Sequence, residues 1–148
     1  LEETLYAERL IKVLEGETMN KKVLIVEDNE LNLKLFRDLL EAHDLSVMET
    51  RNGSEAAMLA ERYQPNLIIM DIQLPEISGV DLIRQMKGNP KTAGIPIIAV
   101  TAFAMRDDED RIMASGCQAY VSKPIAIDSF IQTIQKYVGA VPMSNEEE

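Results

Sequence analysis

At 148 residues the chain has the length of one ordinary domain and enough material for a sizeable core without covalent staples. Its composition, 46% hydrophobic and 27% charged, is that of a globular protein. A net charge of −10 argues against a general nucleic-acid or anionic-membrane binder, and a single cysteine, Cys117, excludes an internal disulfide. No apolar stretch approaches the ~18 residues that a membrane span needs, and no leader pattern is evident, so the expectation is a cytoplasmic protein without membrane insertion.

In chain order, residues 1–18 carry Leu1, Leu5, Leu10, Ile11 and Leu14 at helical spacing before Gly16, which predicts an amphipathic N-terminal extension. Met19-Asn20-Lys21-Lys22 then opens a strictly alternating pattern. Val23–Val26 reads as a strand and Leu31–Leu40 as an amphipathic helix. Leu45–Met48 is a weaker strand because Ser46 interrupts it, and Ser54–Arg62 is helical. Leu67–Met70 is a third strand and Ser78–Lys87 a helix; Ile95–Val100 is a fourth strand and Arg106–Ala114 a charged helix. Ala119–Ser122 and Ile127–Val138 complete the series. Residues 139–148 end in Glu146-Glu147-Glu148 and predict an acidic, disordered tail. Five strands, each followed by a helix, imply one doubly wound α/β domain over residues 19–138, with a five-stranded parallel sheet and right-handed crossovers. With ten residues after the last helix, no DNA-binding or enzymatic output domain is expected, and output should be by protein–protein contact.

A parallel sheet aligns all strand C-termini on one edge, where open α/β sheets place their ligands. Strand one ends in Glu27-Asp28, strand three in Asp71, strand four in Thr101, and strand five in Ser122-Lys123-Pro124. Three carboxylates so gathered repel unless a cation lies among them, and their all-oxygen character points to Mg²⁺. Lys123 and Thr101 are the ammonium and hydroxyl that a phosphoryl group would require, leaving Asp71 available as nucleophile. Any one of these residues has a bland alternative: Asp71 as a cap or turn former, Thr101 as a β-branched strand residue, Tyr120 as core. Their coincidence at matching strand ends favours the functional reading.

The strings Val-Glu-Asp-Asn (26–29), Met-Asp-Ile-Gln-Leu-Pro (70–75), Val-Thr-Ala (100–102) and Ser-Lys-Pro (122–124) resemble the receiver domain of two-component response regulators, over residues 21–138. The resemblance implies a flavodoxin-like (β/α)5 fold in which Asp71 accepts phosphate from a histidine kinase or histidine phosphotransferase. It further implies that Glu27, Asp28, Asp71 and the backbone carbonyl of Gln73 hold Mg²⁺, and that Lys123 pairs with the phosphoryl group. By the same resemblance Lys123–Pro124 is cis, Thr101 and Tyr120 form the switch, and the output is a downstream protein target. Longer strings, among them residues 26–32 and 70–79, are similar to a single-domain branch of the family serving cell division and polarity. Slow hydrolysis is expected, with Gln73 and the bulky Phe103 flanking the water's approach.

Other classes fit less well. A haloacid-dehalogenase-type phosphatase wants a second Asp where this chain has Gln73, and no P-loop string is present. A receiver cut from a hybrid kinase, with residues 1–18 as linker, stays open. On helical geometry Leu35, Phe36, Leu39 and Leu40 are expected to form the buried stripe of the first helix, leaving Leu31 and Leu33 exposed. Asn29, Leu31 and Asn32 are therefore candidates for partner docking; the alternative is that these leucines seal the core's edges. His43 is expected at a solvent-side helix end, Cys117 as a small buried residue, and the methionines as core filler.

Overall fold

The computed structural model describes Ala7, residues 21–102 and residues 106–138. The predicted extension (but for Ala7), the tail, Phe103 and Met105 lie outside the described residues. Five strands form one parallel sheet: β1 (Lys22–Val26), β2 (Ser46–Thr50), β3 (Leu67–Asp71), β4 (Ile97–Thr101) and β5 (Ala119–Ser122). Five helices alternate with them: α1 (Glu30–Ala42), α2 (Gly53–Tyr63), α3 (Gly79–Lys87), α4 (Arg106–Ala114) and α5 (Ile127–Val138). The strand order β2-β1-β3-β4-β5 is doubly wound, reversing direction at β1.

The period-two alternation of a strand divides each apolar run between two cores. Leu24 and Val26 of β1, Ile68 and Met70 of β3, and Ile97 and Ala99 of β4 face α2, α3 and α4, packing with Ala56, Ala60, Ile83 and Met86. Val23 and Ile25, Leu67 and Ile69, and Ile98 and Val100 face α1 and α5. There Phe36 and Phe130 stack with ring centroids 5.3 Å apart. Because both faces of β1, β3 and β4 are covered, their sequences are continuous apolar runs. The edge strand β2 is only half-buried, and it tolerates Ser46 and Glu49 for that reason.

Three expectations are corrected. β2 begins at Ser46 rather than Leu45 and runs to Thr50, while Leu45 is buried just ahead of it. On α1 the buried stripe is Leu33, Phe36 and Leu40, spaced i, i+3, i+7. Leu33 is thus core at 5% exposure, and Leu35, expected in the core, is 36% exposed beside Leu31 at 79%. One helical turn separates Leu31 from Leu35, so they share an outward face. Met70 and Met86 are core, whereas Met58 and Met113 are exposed. His43 is exposed at the C-cap of α1 and Cys117 is buried, each as expected.

Candidate functional site

In-register parallel pairing places the ends of the strands side by side: Val26 opposite Met70, Asp71 opposite Val100, and Thr101 opposite Ser122. The residues leaving these ends are therefore neighbours although distant in sequence. Glu27, Asp28 and Asp71 each bring a carboxylate oxygen within 4.8 Å of the others. Lys123, leaving β5, reaches across with Nζ 3.5 Å from Asp71 Oδ2 and 3.7 Å from Glu27 Oε1. Thr101 is fully buried at the end of β4, and its carbonyl accepts from the Lys123 backbone N–H at 2.8 Å. The Lys123–Pro124 peptide is cis.

The electrostatics of this cluster are unusual for their lack of compensation. Glu27 is 1% exposed and Asp71 2%. Glu27 Oε2 accepts from the Asn29 backbone N–H at 3.1 Å, but Oε1 is buried without a hydrogen-bond partner. Burial pushes the Glu27 carboxyl up to about 7, helped by the adjacent Asp71 carboxylate, whose negative charge disfavours ionisation of Glu27. Asn29 N–H and the Lys123 ammonium pull it back only in part. Asp71 is better held, since Oδ1 accepts from the Gln73 backbone N–H at 2.9 Å and Oδ2 faces Lys123.

Local sequence explains how the loops hold these groups. Asn29 caps α1, its side chain accepting from Asn32 N–H at 3.0 Å, so the helix starts immediately after the acid pair. Asn29 and Asn32 are thereby joined to each other at the mouth of the site, with Leu31 exposed between them. Behind Asp71, a Cβ on Gly79 would lie 2.6 Å from both the Asp71 carbonyl oxygen and Ile72 Cα. Only glycine lets α3 start so close to the strand end. Tyr120 of β5 is half-buried against the α2–α4 core, and its phenol is raised by a hydrogen bond to Glu109 of α4.

Three contacts around the site were not expected from the sequence. The Gln73 side chain accepts from Ala102 N–H at 3.1 Å, tying the loop after Asp71 to the loop after Thr101. Gly79, eight residues after the buried carboxylate, sits where the close approach of α3 to the strand end leaves no room for a Cβ. Arg51 donates to the Asp28 carbonyl from Nε and Nη2, at 3.2 and 3.0 Å. A lone cation beside an Asn-Gly turn offered no sequence cue to that contact.

A partnerless buried carboxylate oxygen within a three-acid cluster fits a hard divalent cation, whose charge and coordination would satisfy it. Sheet order, two-sided helical cover and this acid edge together define a receiver-type fold. The chain belongs to the response regulators: residues 23–135 match the response regulator receiver domain. It is 56% identical over 121 residues to the polar-differentiation response regulator DivK of Brucella anthropi, spanning 82% of this chain and 98% of that one. The DivK of Brucella ovis is 55% identical with the same coverage. Among solved structures, the receiver domain of a Pseudomonas aeruginosa sensor histidine kinase, with a magnesium ion coordinated in its active site cleft, is 28% identical with a TM-score of 0.75. That match covers 82% of this chain and 99% of that one. The chemotaxis protein CheY4 of Vibrio cholerae shares the fold at 21% identity and a TM-score of 0.74, over 80% of this chain and 98% of its own. No helix among the described residues is long and apolar enough to cross a membrane.

Proposed function

We propose that Asp71 is the phosphoacceptor of this receiver and that a histidine kinase or histidine phosphotransferase is the donor. The observation that carries this reading is the state of Asp71: a buried carboxylate with one oxygen oriented by Gln73 N–H and the other facing Lys123. An Asp71 oxygen attacks the phosphorus of a phosphohistidine in line, the P–N bond breaks, and the imidazole leaves with its electron pair. Lys123 offsets negative charge on the transferred group, and the Thr101 hydroxyl donates to it. Glu27, Asp28, Asp71 and the Gln73 carbonyl would hold Mg²⁺, which when bound neutralises charge on the phosphoryl oxygens.

Phosphorylation then draws on Thr101 and repacks Tyr120, altering the α4–β5–α5 surface that a downstream protein reads. Donor docking uses Asn29, Leu31 and Asn32, and the exposed Leu35 extends that surface along α1. Likeness to the DivK proteins supports a role in cell polarity and division, carried out by protein contact rather than nucleic-acid binding. The chain acts as a switch whose only chemistry is its own phosphorylation and slow dephosphorylation, in the cytoplasm. Incubation with acetyl phosphate should phosphorylate the wild type only when Mg²⁺ is present, and Asp71→Asn not at all. Equal phosphate uptake by the variant would overturn the assignment.

A further inference from the structure

The turn between β2 and α2 reaches over the loop that carries Glu27 and Asp28. Arg51 directs Nε and Nη2 together at the Asp28 carbonyl oxygen, while Nη1 lies 3.5 Å from Glu30 Oε2. The turn is itself fixed. The Thr50 carbonyl accepts from Glu27 N–H at 3.1 Å, Asn52 N–H donates to Thr50 Oγ1 at 3.0 Å, and that hydroxyl lies 3.0 Å from Glu55 Oε1. Two successive residues of the acid loop, Glu27 through its N–H and Asp28 through its carbonyl, are therefore both held from the same turn.

We propose that Arg51 is a positioning residue for the metal-binding acids: its fork fixes the Asp28 peptide, and so the direction in which the Asp28 carboxylate leaves the backbone. The proposal rests on the reading of Glu27, Asp28 and Asp71 as a Mg²⁺ site. Two effects of Arg51 on a bound cation oppose each other. Its positive charge beside an acid cluster weakens cation binding, so charge alone predicts tighter binding when Arg51 is removed. Its two-point grip pre-organises a ligand, so positioning predicts weaker binding on removal. The Arg51 side chain is 57% exposed, where water and salt screen its charge. The hydrogen bonds do not lose their geometry in that way, and positioning wins. Lysine carries the same charge but not the planar fork that converges on one oxygen.

The test is Mg²⁺ titration by calorimetry on the full chain, with thermal melting in EDTA, for wild type, Arg51→Ala, Arg51→Lys and Asp28→Asn. Both Arg51 variants should bind Mg²⁺ about 3- to 10-fold more weakly than wild type, the scale of one or two exposed charge-assisted hydrogen bonds, while melting in EDTA as wild type does. Unchanged or tighter binding by Arg51→Ala overturns the proposal, and so does wild-type affinity in Arg51→Lys, because charge would then suffice. A wild type that takes up no Mg²⁺, or an Asp28→Asn variant that binds it normally, overturns the underlying metal-site reading, and this proposal with it.

Discussion

Two ion pairs at the surface of this domain, both involving α1, are tighter than those at its buried site. On the outside, Arg37 of α1 meets both oxygens of Glu49 on β2 at 2.8 Å, and Lys34 meets Asp38 at 2.7 Å. Inside, Lys123 stands 3.5 Å from Asp71 and 3.7 Å from Glu27, and one Glu27 oxygen has no hydrogen-bond partner. Water and salt make the well-formed outer pairs nearly irrelevant to stability. The loosely paired inner cluster lies where charge interactions are strong, and it is held short of satisfaction. A receiver needs that shortfall, because a cation and a phosphoryl group must find groups not already committed to one another.

The contrast can be broken at its backbone support. Gly79→Ala forces a Cβ against the Asp71 carbonyl and Ile72, atoms that cannot swing aside. We expect a loss of about 3 kcal/mol in denaturant unfolding together with weakened Mg²⁺ binding. A variant as stable as wild type would show that α3 does not brace Asp71.

Next comes the shortfall itself. Glu27 titrates near 7 in the fold against 4.5 ordinarily, so the folded state binds its proton more tightly than the unfolded chain does. Its contribution to stability is then fully present below pH 4.5 and is lost as pH rises through 7. In EDTA, Glu27→Gln should therefore be more stable than wild type at pH 8, by more than about 1 kcal/mol, with the gap closing toward pH 4.5. Mg²⁺ should raise the melting temperature of the wild type and leave the variant nearly unmoved. A gap that widens on acidification would contradict the sign.

Leu31 and Leu35 extend the comparison to the outer surface, where apolar rather than charged groups are the informative ones. Leu31→Lys should weaken affinity for the donor about tenfold, or ~1.4 kcal/mol, without changing uptake from acetyl phosphate. Unaltered affinity would leave these leucines as mere edges of the core. The smallest effect is expected at the outer ion pair: a double-mutant cycle on Arg37 and Glu49 should give a coupling below ~1 kcal/mol that shrinks with salt.

Much of this was legible in the sequence. Val23–Val26, Leu67–Met70 and Ile95–Val100 announced strands covered on both faces, although β4 starts only at Ile97, after Pro96, and the parallel order made neighbours of Glu27, Asp28, Asp71, Thr101 and Lys123. The face of α1 was not legible, because Leu31, Leu33, Leu35, Leu39 and Leu40 permit more than one stripe; packing of Phe36 on Phe130 selects the one containing Leu33. The edge position of β2 blurred its start, since a half-exposed strand lacks a continuous apolar run. Gln73, Gly79 and Arg51 act through backbone groups of other loops, contacts that exist only once the loops are folded together.

The central claim is that Asp71, the buried carboxylate at the end of β3, receives the phosphate. The most direct measurement is transfer from a phosphorylated kinase domain, followed by borohydride trapping of the acyl phosphate and peptide mapping. The label should fall on Asp71, and Asp71→Asn should carry none. A label on Glu27 or Asp28, or one that survives the substitution, would contradict it.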